Sequence, residues 1–243
     1  MGRILKTGIL FFLLSIFSKT ASSQVLIALL FGDELNTGKI EFGLTVSPTF
    51  TNITNITSKY RPGIDFGLYF NFKVTDRLYL HPEAIPKMVF GAKDIAPYST
   101  GNTGLDSLYV NGSVNRKINA IGLPLLVRYR LVDLFFVEAG PQVNLLTQSK
   151  DIFENEVDDN DLTYEIKTKD NYTRFEVGYA VGLAYKIKPG QRGMTVGLRY
   201  YGGLTDIMKT EEGSQKNSKW LLNIYVPVGA GKAEKKRASQ SNQ

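Results

Sequence analysis

The sequence predicts an all-β fold, an eight-stranded antiparallel transmembrane β-barrel with short periplasmic turns and long outer loops. Three observations carry that prediction. Apolar and polar residues alternate over unusually long stretches, the links between those stretches are alternately short and long, and the polar face mixes glycines with charged side chains. Period two is the signature of a strand, and about ten residues suffice for a tilted strand to cross a bilayer.

The first strand is Lys39–Phe50, with Ile40, Phe42, Leu44, Val46 and Phe50 on one face and Glu41, Gly43, Thr45, Ser47 and Thr49 on the other. The second, Ile64–Thr75, alternates without a break: Ile64, Phe66, Leu68, Phe70, Phe72 and Val74 against Asp65, Gly67, Tyr69, Asn71, Lys73 and Thr75. Leu78–Gly91 is the third and weakest, interrupted by Pro82 and Pro86. Ile118–Arg130 and Leu134–Leu145 follow with minor lapses, and then Arg174–Ile187, Met194–Tyr201 and Trp220–Val228. Tight links fall at Thr75–Arg77, Val132–Asp133 and Lys188–Gly193, whereas Thr51–Pro62, Ala92–Asn115, Thr147–Tyr172 and Thr205–Lys219 are long and polar. Membrane barrels show this asymmetry, with short periplasmic turns and longer outer loops.

A secreted soluble barrel that turns its apolar face inward around a ligand is the competing architecture. The polar face decides against it. Gly43, Gly67, Gly91, Gly122, Gly140, Gly178, Gly182 and Gly197 would weaken a solvated sheet face, but inside a narrow barrel they leave room for Arg, Lys and Tyr. Aromatics on the apolar face suit interfacial girdles, with Phe72, Tyr129, Phe135 and Tyr185 toward the tight end and Phe90, Phe175, Tyr200 and Trp220 toward the other.

Pairing about the tight links predicts a lumen closed by charge. Around Asp76, Asp65 is expected to face Lys87 and Tyr69 to face Glu83; around the second link Arg128 is expected beside Glu138. Glu41, Lys73, Glu176, Lys186 and Arg199 complete the expected network.

The ends read differently. Residues 1–23 have a basic start, an apolar core from Gly8 to Phe17 and Ala21-Ser22-Ser23 as a cleavage site, which is a signal peptide; its core is too short to span a bilayer. Residues 24–38 form a short segment, read as a helix or an extended start around Val25–Phe31, 39–228 the barrel, and 229–243 a basic tail. The 243-residue chain carries a formal charge of +6 and no cysteine. Thiolate metal sites and disulfides are thereby excluded. The excess positive charge lies in the two ends, so a nucleic-acid role is not expected.

The single histidine, His81, points into the lumen near the tight end, where a structural hydrogen-bonded role is expected. The acidic stretch Asp151–Asp170 lacks the spacing and glycine of a calcium loop and reads as a solvated loop. The Asn-X-Ser/Thr sites at Asn52, Asn55, Asn111 and Asn171 read as polar loop tips in a bacterial envelope. No cofactor and no metal site are expected.

QVLIALLFGDELNTGKIEFGL at the mature start, LHPEA (Leu80–Ala84), IGLPLLVRYRL (Ile121–Leu131) and FFVEAGPQVNLL (Phe135–Leu146) resemble the PorT-type outer-membrane β-barrel proteins of Bacteroidota-type bacteria. The resemblance covers almost all of the mature chain. It implies residence in the outer membrane and, from the founding member, association with a secretion apparatus; it implies no activity. The run of residues after Val228 departs from the terminal aromatic common in such barrels. The expectation is a non-enzymatic envelope component acting through its outer loops, in contact with outer-membrane lipid, lipopolysaccharide and envelope or secretion machinery. A barrel enzyme (hydrolase or acyltransferase) and a small passive pore are the alternatives.

Overall fold

The computed structural model describes residues 35–37, 39–157, 160–189, 193–209 and 213–229. The expected signal peptide, the Val25–Phe31 stretch and the tail from residue 230 lie outside the described residues. Nine strands form: β1 (Ile40–Ile53), β2 (Arg61–Lys73), β3 (Leu78–Ile95), β4 (Ser113–Val132), β5 (Phe135–Val157), β6 (Asn160–Lys167), β7 (Phe175–Lys186), β8 (Thr195–Gly203) and β9 (Asn217–Pro227), with helix α1 (Thr103–Tyr109) between β3 and β4. The pairing order β4-β3-β2-β1-β9-β8-β7-β5, together with a direct β4–β5 ladder, is a closed antiparallel ring of eight strands. The expected count is met by the ring, and β6 is an addition on the upper edge of β5.

Each strand turns its apolar set outward. Leu125, Leu198 and Leu222 are about half exposed on that face, while the alternating partners are buried inside. Tyr129 and Tyr185 mark its tight end and Phe175, Tyr200 and Trp220 its loop end, with Tyr200 and Trp220 rings 5.0 Å apart. The tight end of the outer face near the ring's seam is covered instead. There Phe42 and Leu68 are only 1% and 8% exposed and pack with Leu35, Leu44, Phe70 and Val228.

Asn36 closes that seam. Its side-chain amide donates to the carbonyls of Phe42 (3.2 Å) and Val228 (2.5 Å), and its oxygen accepts the Phe42 N–H at 3.0 Å. One side chain thus completes the ladder where β1 and β9 run out.

Two irregularities correct the expected register. The β2–β3 ladder shifts between Phe66 and Leu68, so Lys87 lies opposite Phe66 rather than Asp65. The β3–β4 ladder shifts again between Ile85 and Met88. Pro86 has no N–H to give the ladder, and the bulge around Pro86-Lys87 reverses which face the following residues present. Phe90, expected on the outer girdle, is therefore buried in the lumen. Glycine does the expected work at Gly43, where a Cβ would lie 2.6 Å from the Tyr69 ring and against the Val226 carbonyl.

The long links are shorter than expected because the strands continue into them. β4 and β5 run for 20 and 23 residues, about twice what a bilayer crossing requires. Their upper parts, the end of β3 and β6 form a four-stranded sheet standing beyond the ring.

Candidate functional site

The tight half of the lumen is ionic. Arg199, at its centre, donates from Nε to Glu138 at 2.7 Å and from Nη2 to Glu83 at 2.7 Å and to the Tyr225 hydroxyl at 2.6 Å. Arg128 donates to the other Glu138 oxygen at 2.6 and 2.9 Å, and its guanidinium lies 5.0 Å over the Tyr225 ring. His81 is fully buried among Asn71 (2.6 Å), Glu83 (2.7 Å) and Arg128 (3.1 Å). Glu41 accepts from Lys186 at 2.5 Å, Asn71 at 3.0 Å and Tyr69 at 3.2 Å. Each strand contributes its inward parity, so eight strands place these groups at one level, and satisfied donors and acceptors are what make such burial tolerable.

The loop half of the lumen carries a large apolar cluster beside the buried polar group Asn144, Glu176 and Asn217. Ile85, Met88, Phe90, Ile118, Leu146, Tyr201 and Leu221 pack with Ile207 and Met208, which the β8–β9 loop folds back onto the lumen. An isolated bridge between Tyr172 and Met208 fastens that loop to its neighbour. The expected polar lumen is thus corrected at this end by the apolar cluster, to which the bulge at Pro86-Lys87 adds Met88 and Phe90. At the boundary Lys219 reaches Asp65 at 2.7 Å while its ammonium lies 3.9 Å from the Phe90 ring centre.

The outer sheet has a core of its own. Tyr109, Val114 and Phe153 are buried, with Ile95, Leu105, Leu162 and Ile166 against them. Arg116 holds Asp151 in a two-pronged pair, Nε to Oδ1 at 3.0 Å and Nη2 to Oδ2 at 2.7 Å, and the Tyr98 hydroxyl donates to Asp151 at 2.9 Å. Burial, then the adjacent Asp151 carboxylate, raises the Tyr98 phenol above its ordinary value. Asn102 caps α1 by accepting from the Gly104 and Leu105 N–H groups. Asp106 takes hydrogen bonds from Ser99 and Thr100, which hold its carboxyl below the usual aspartate value. Asp151, expected at the start of a solvated loop, is instead a buried strand residue. Beside the sheet, a cavity of about 410 Å³ is bordered by Lys169, Arg174 and Lys209.

Of the expected lumen residues, Glu41, Glu83, Arg128, Glu138, Lys186 and Arg199 come together. Glu176 is buried but bonds Asn144 (3.1 Å) and Asn217 (3.2 Å) rather than a cation. Lys73 pairs with Asp76 at the tight turn, and Lys87 is exposed on the outer face, so both leave the network. Asp65 finds Lys219 instead. Lys219, Tyr225, Arg116 and Asp151 were not expected. Lys219 has the inward parity of its strand and lies one residue before the predicted start. The Arg116–Asp151 pair follows from running the β4–β5 ladder up from Arg128–Glu138 past the shift between Asn119 and Ala120, the second of the two in that ladder.

One comparison with known proteins bears on this architecture. The family described as outer membrane protein β-barrel domain matches residues 23–209. No curated protein matches the chain. Among solved structures, the attachment invasion locus protein Ail of Yersinia pestis, crystallised with the heparin analogue sucrose octasulfate, is similar at 8% identity and a TM-score of 0.42, over 77% of this chain and 98% of that one. Neisserial surface protein A is similar at 9% identity and a TM-score of 0.39, over 78% and 97%. The outer membrane protein OprG of Pseudomonas aeruginosa is similar at 13% identity and a TM-score of 0.36, over 78% and 91%. The assignment rests on the family match and the closed ring: the chain belongs to the outer membrane protein β-barrel domain family and is an outer-membrane protein.

Proposed function

We propose that this protein is a non-enzymatic component of the cell envelope, of the PorT type, that acts through its outer sheet. In this reading the tight turns face the periplasm, and α1 with the upper parts of β4, β5 and β6 faces outward. The observation that carries it is the outer sheet itself: a structured element with its own buried core, held above a lumen filled by ion pairs and apolar side chains. Binding residues concentrate on segments positioned by a rigid scaffold, and an eight-stranded interior is just filled by side chains. His81 has Asn71, Glu83 and Arg128 as its partners, deep in the lumen, far from the rim where an outer substrate would arrive. The partners of this reading are outer-membrane lipid and lipopolysaccharide, to whose phosphates Lys169, Arg174 and Lys209 are complementary, and envelope or secretion proteins that dock on the sheet.

The test is mild crosslinking on cells, with the full chain compared to a variant in which residues 97–111 and 150–168 are replaced by short Gly-Ser links. The ring should still fold, shown by heat-modifiable migration, while captured partners are lost. Stepwise conductance in planar bilayers would move the assignment to a pore. Hydrolysis lost in His81→Ala would move it to an enzyme.

A further inference from the structure

The tight end opens into a cavity of about 560 Å³, lined by side chains of β1, β2, β3, β4, β5, β7 and β8. Its charged walls are unequal. Lys186 is neutralised by Glu41, Lys73 by Asp76 and Arg128 by Glu138. Two more cations, Lys39 and Arg130, line the same cavity and have no ion pair among the described residues; the Asp133 carboxylate lines it too, which leaves one positive charge in excess between the three.

Arg130 is the better organised of the two. Its guanidinium lies 5.4 Å from the Tyr79 ring centre and 5.6 Å from that of Phe136, two rings that meet edge to face, and Nη2 donates to the Tyr79 hydroxyl. Its Nε is buried and has no hydrogen-bond partner. A buried donor without an acceptor costs free energy that some ligand can recover. A fork anchored beside two aromatic rings and bonded to one hydroxyl loses little freedom when it takes an oxyanion.

We propose that this cavity is a binding site for a phosphate-bearing molecule, with Arg130 and Lys39 as its anchors. A volume of this size is that of a small-molecule site rather than of a bare ion, so the phosphate is the charged end of something larger. A phosphate-bearing molecule that fills the cavity can offer oxygens to the Arg130 fork on one wall and to the Lys39 ammonium on another. Two sources share that chemistry: a phosphorylated solute entering from the tight-end side, and a phospholipid headgroup at the same level of the membrane. The site uses no residue of the outer sheet, so its failure leaves the reading of the outer sheet untouched, and the converse also holds.

Pyrophosphate titrated calorimetrically into the full chain in maltoside micelles should bind saturably. Arg130→Gln and Lys39→Gln should each bind about ten- to a hundred-fold more weakly, the loss of one charged hydrogen bond, whereas Lys59→Gln at the opposite end should bind like the parent. Lys39 is exposed and its side chain makes no hydrogen bond or ion pair among the described residues, so its variant keeps the test valid if Arg130→Gln fails to show heat-modifiable folding. Native mass spectrometry with added phosphatidylglycerol separates the sources. One retained lipid that Arg130→Gln loses identifies a headgroup; pyrophosphate binding undiminished by the lipid identifies a solute. Equal affinities in the parent and both variants, no saturation, or malonate binding as tightly as pyrophosphate would overturn the proposal.

Discussion

The two halves of the lumen solve the same packing problem with opposite chemistry. Toward the tight end the interior is filled by Arg128, Glu138, Arg199 and Glu83, bonded in that sequence, with His81 and Tyr225 both bonded to Glu83. Toward the loop end it is filled mainly by Met88, Phe90, Ile118, Leu146 and Leu221, with Ile207 and Met208 added from a loop, beside a small polar group of Asn144, Glu176 and Asn217. The ionic half derives its order from pairing, and removing one member strands the others in a low-dielectric interior. The apolar half depends on volume, where each side chain counts by what it fills. One half is therefore non-additive and the other close to additive, and substitutions can expose that difference.

The largest effect is expected at the centre of the ionic half. Arg199→Met leaves Glu83 and Glu138 facing each other without their shared cation and should destabilise by about 3–5 kcal/mol, measured by urea unfolding in micelles. Adding Glu83→Gln and Glu138→Gln to it should recover part of that loss; simple addition of the single effects would show that the network is not coupled. Phe90→Ala should cost about 3 kcal/mol or slightly more, and neutralising nearby charges should not restore it. Lys219→Met tests the boundary. It abandons Asp65 but keeps apolar contact with Phe90, so the double variant with Asp65→Asn should be more stable than Lys219→Met alone.

A smaller effect separates the ring from its seam. Asn36→Ala removes three hydrogen bonds between the N-terminal residues, β1 and the end of β9, and should cost about 1–3 kcal/mol. Hydrogen exchange should rise at Phe42 and Val228 while the Arg199 neighbourhood stays protected. If Arg199 loosened equally, closure and lumen packing would be one cooperative event.

The smallest effect belongs to pH and lies outside the ring. The Asp106 carboxyl is held below the ordinary aspartate value of 3.8 by Ser99 and Thr100. A lowered folded value means that the contribution is complete above the unfolded value and is lost as pH falls through the lowered one. The loop before α1 should thus keep its protease resistance at about pH 5 and lose it only in stronger acid. Loss already at about pH 5 would place its anchoring elsewhere.

Alternation alone determined a great deal about this chain. Which face of each strand looks outward, the number of strands in the ring, which end carries loops, and the Arg128–Glu138 and Tyr69–Glu83 partnerships are all readable from period two and the tight links, because side-chain direction is local and antiparallel register is set by the nearest turn. Tertiary structure decided what register cannot carry past an irregularity. The bulge at Pro86-Lys87 reversed the faces of Met88 and Phe90, moved Lys87 outside, and gave Asp65 to Lys219 from a strand far along the chain. The join of the first and last strands, with Asn36 across it, and the outer sheet with its Arg116–Asp151 pair depend on contacts between residues remote in sequence. Local preference does not specify those contacts; they exist because closing the ring brings their groups within hydrogen-bonding distance.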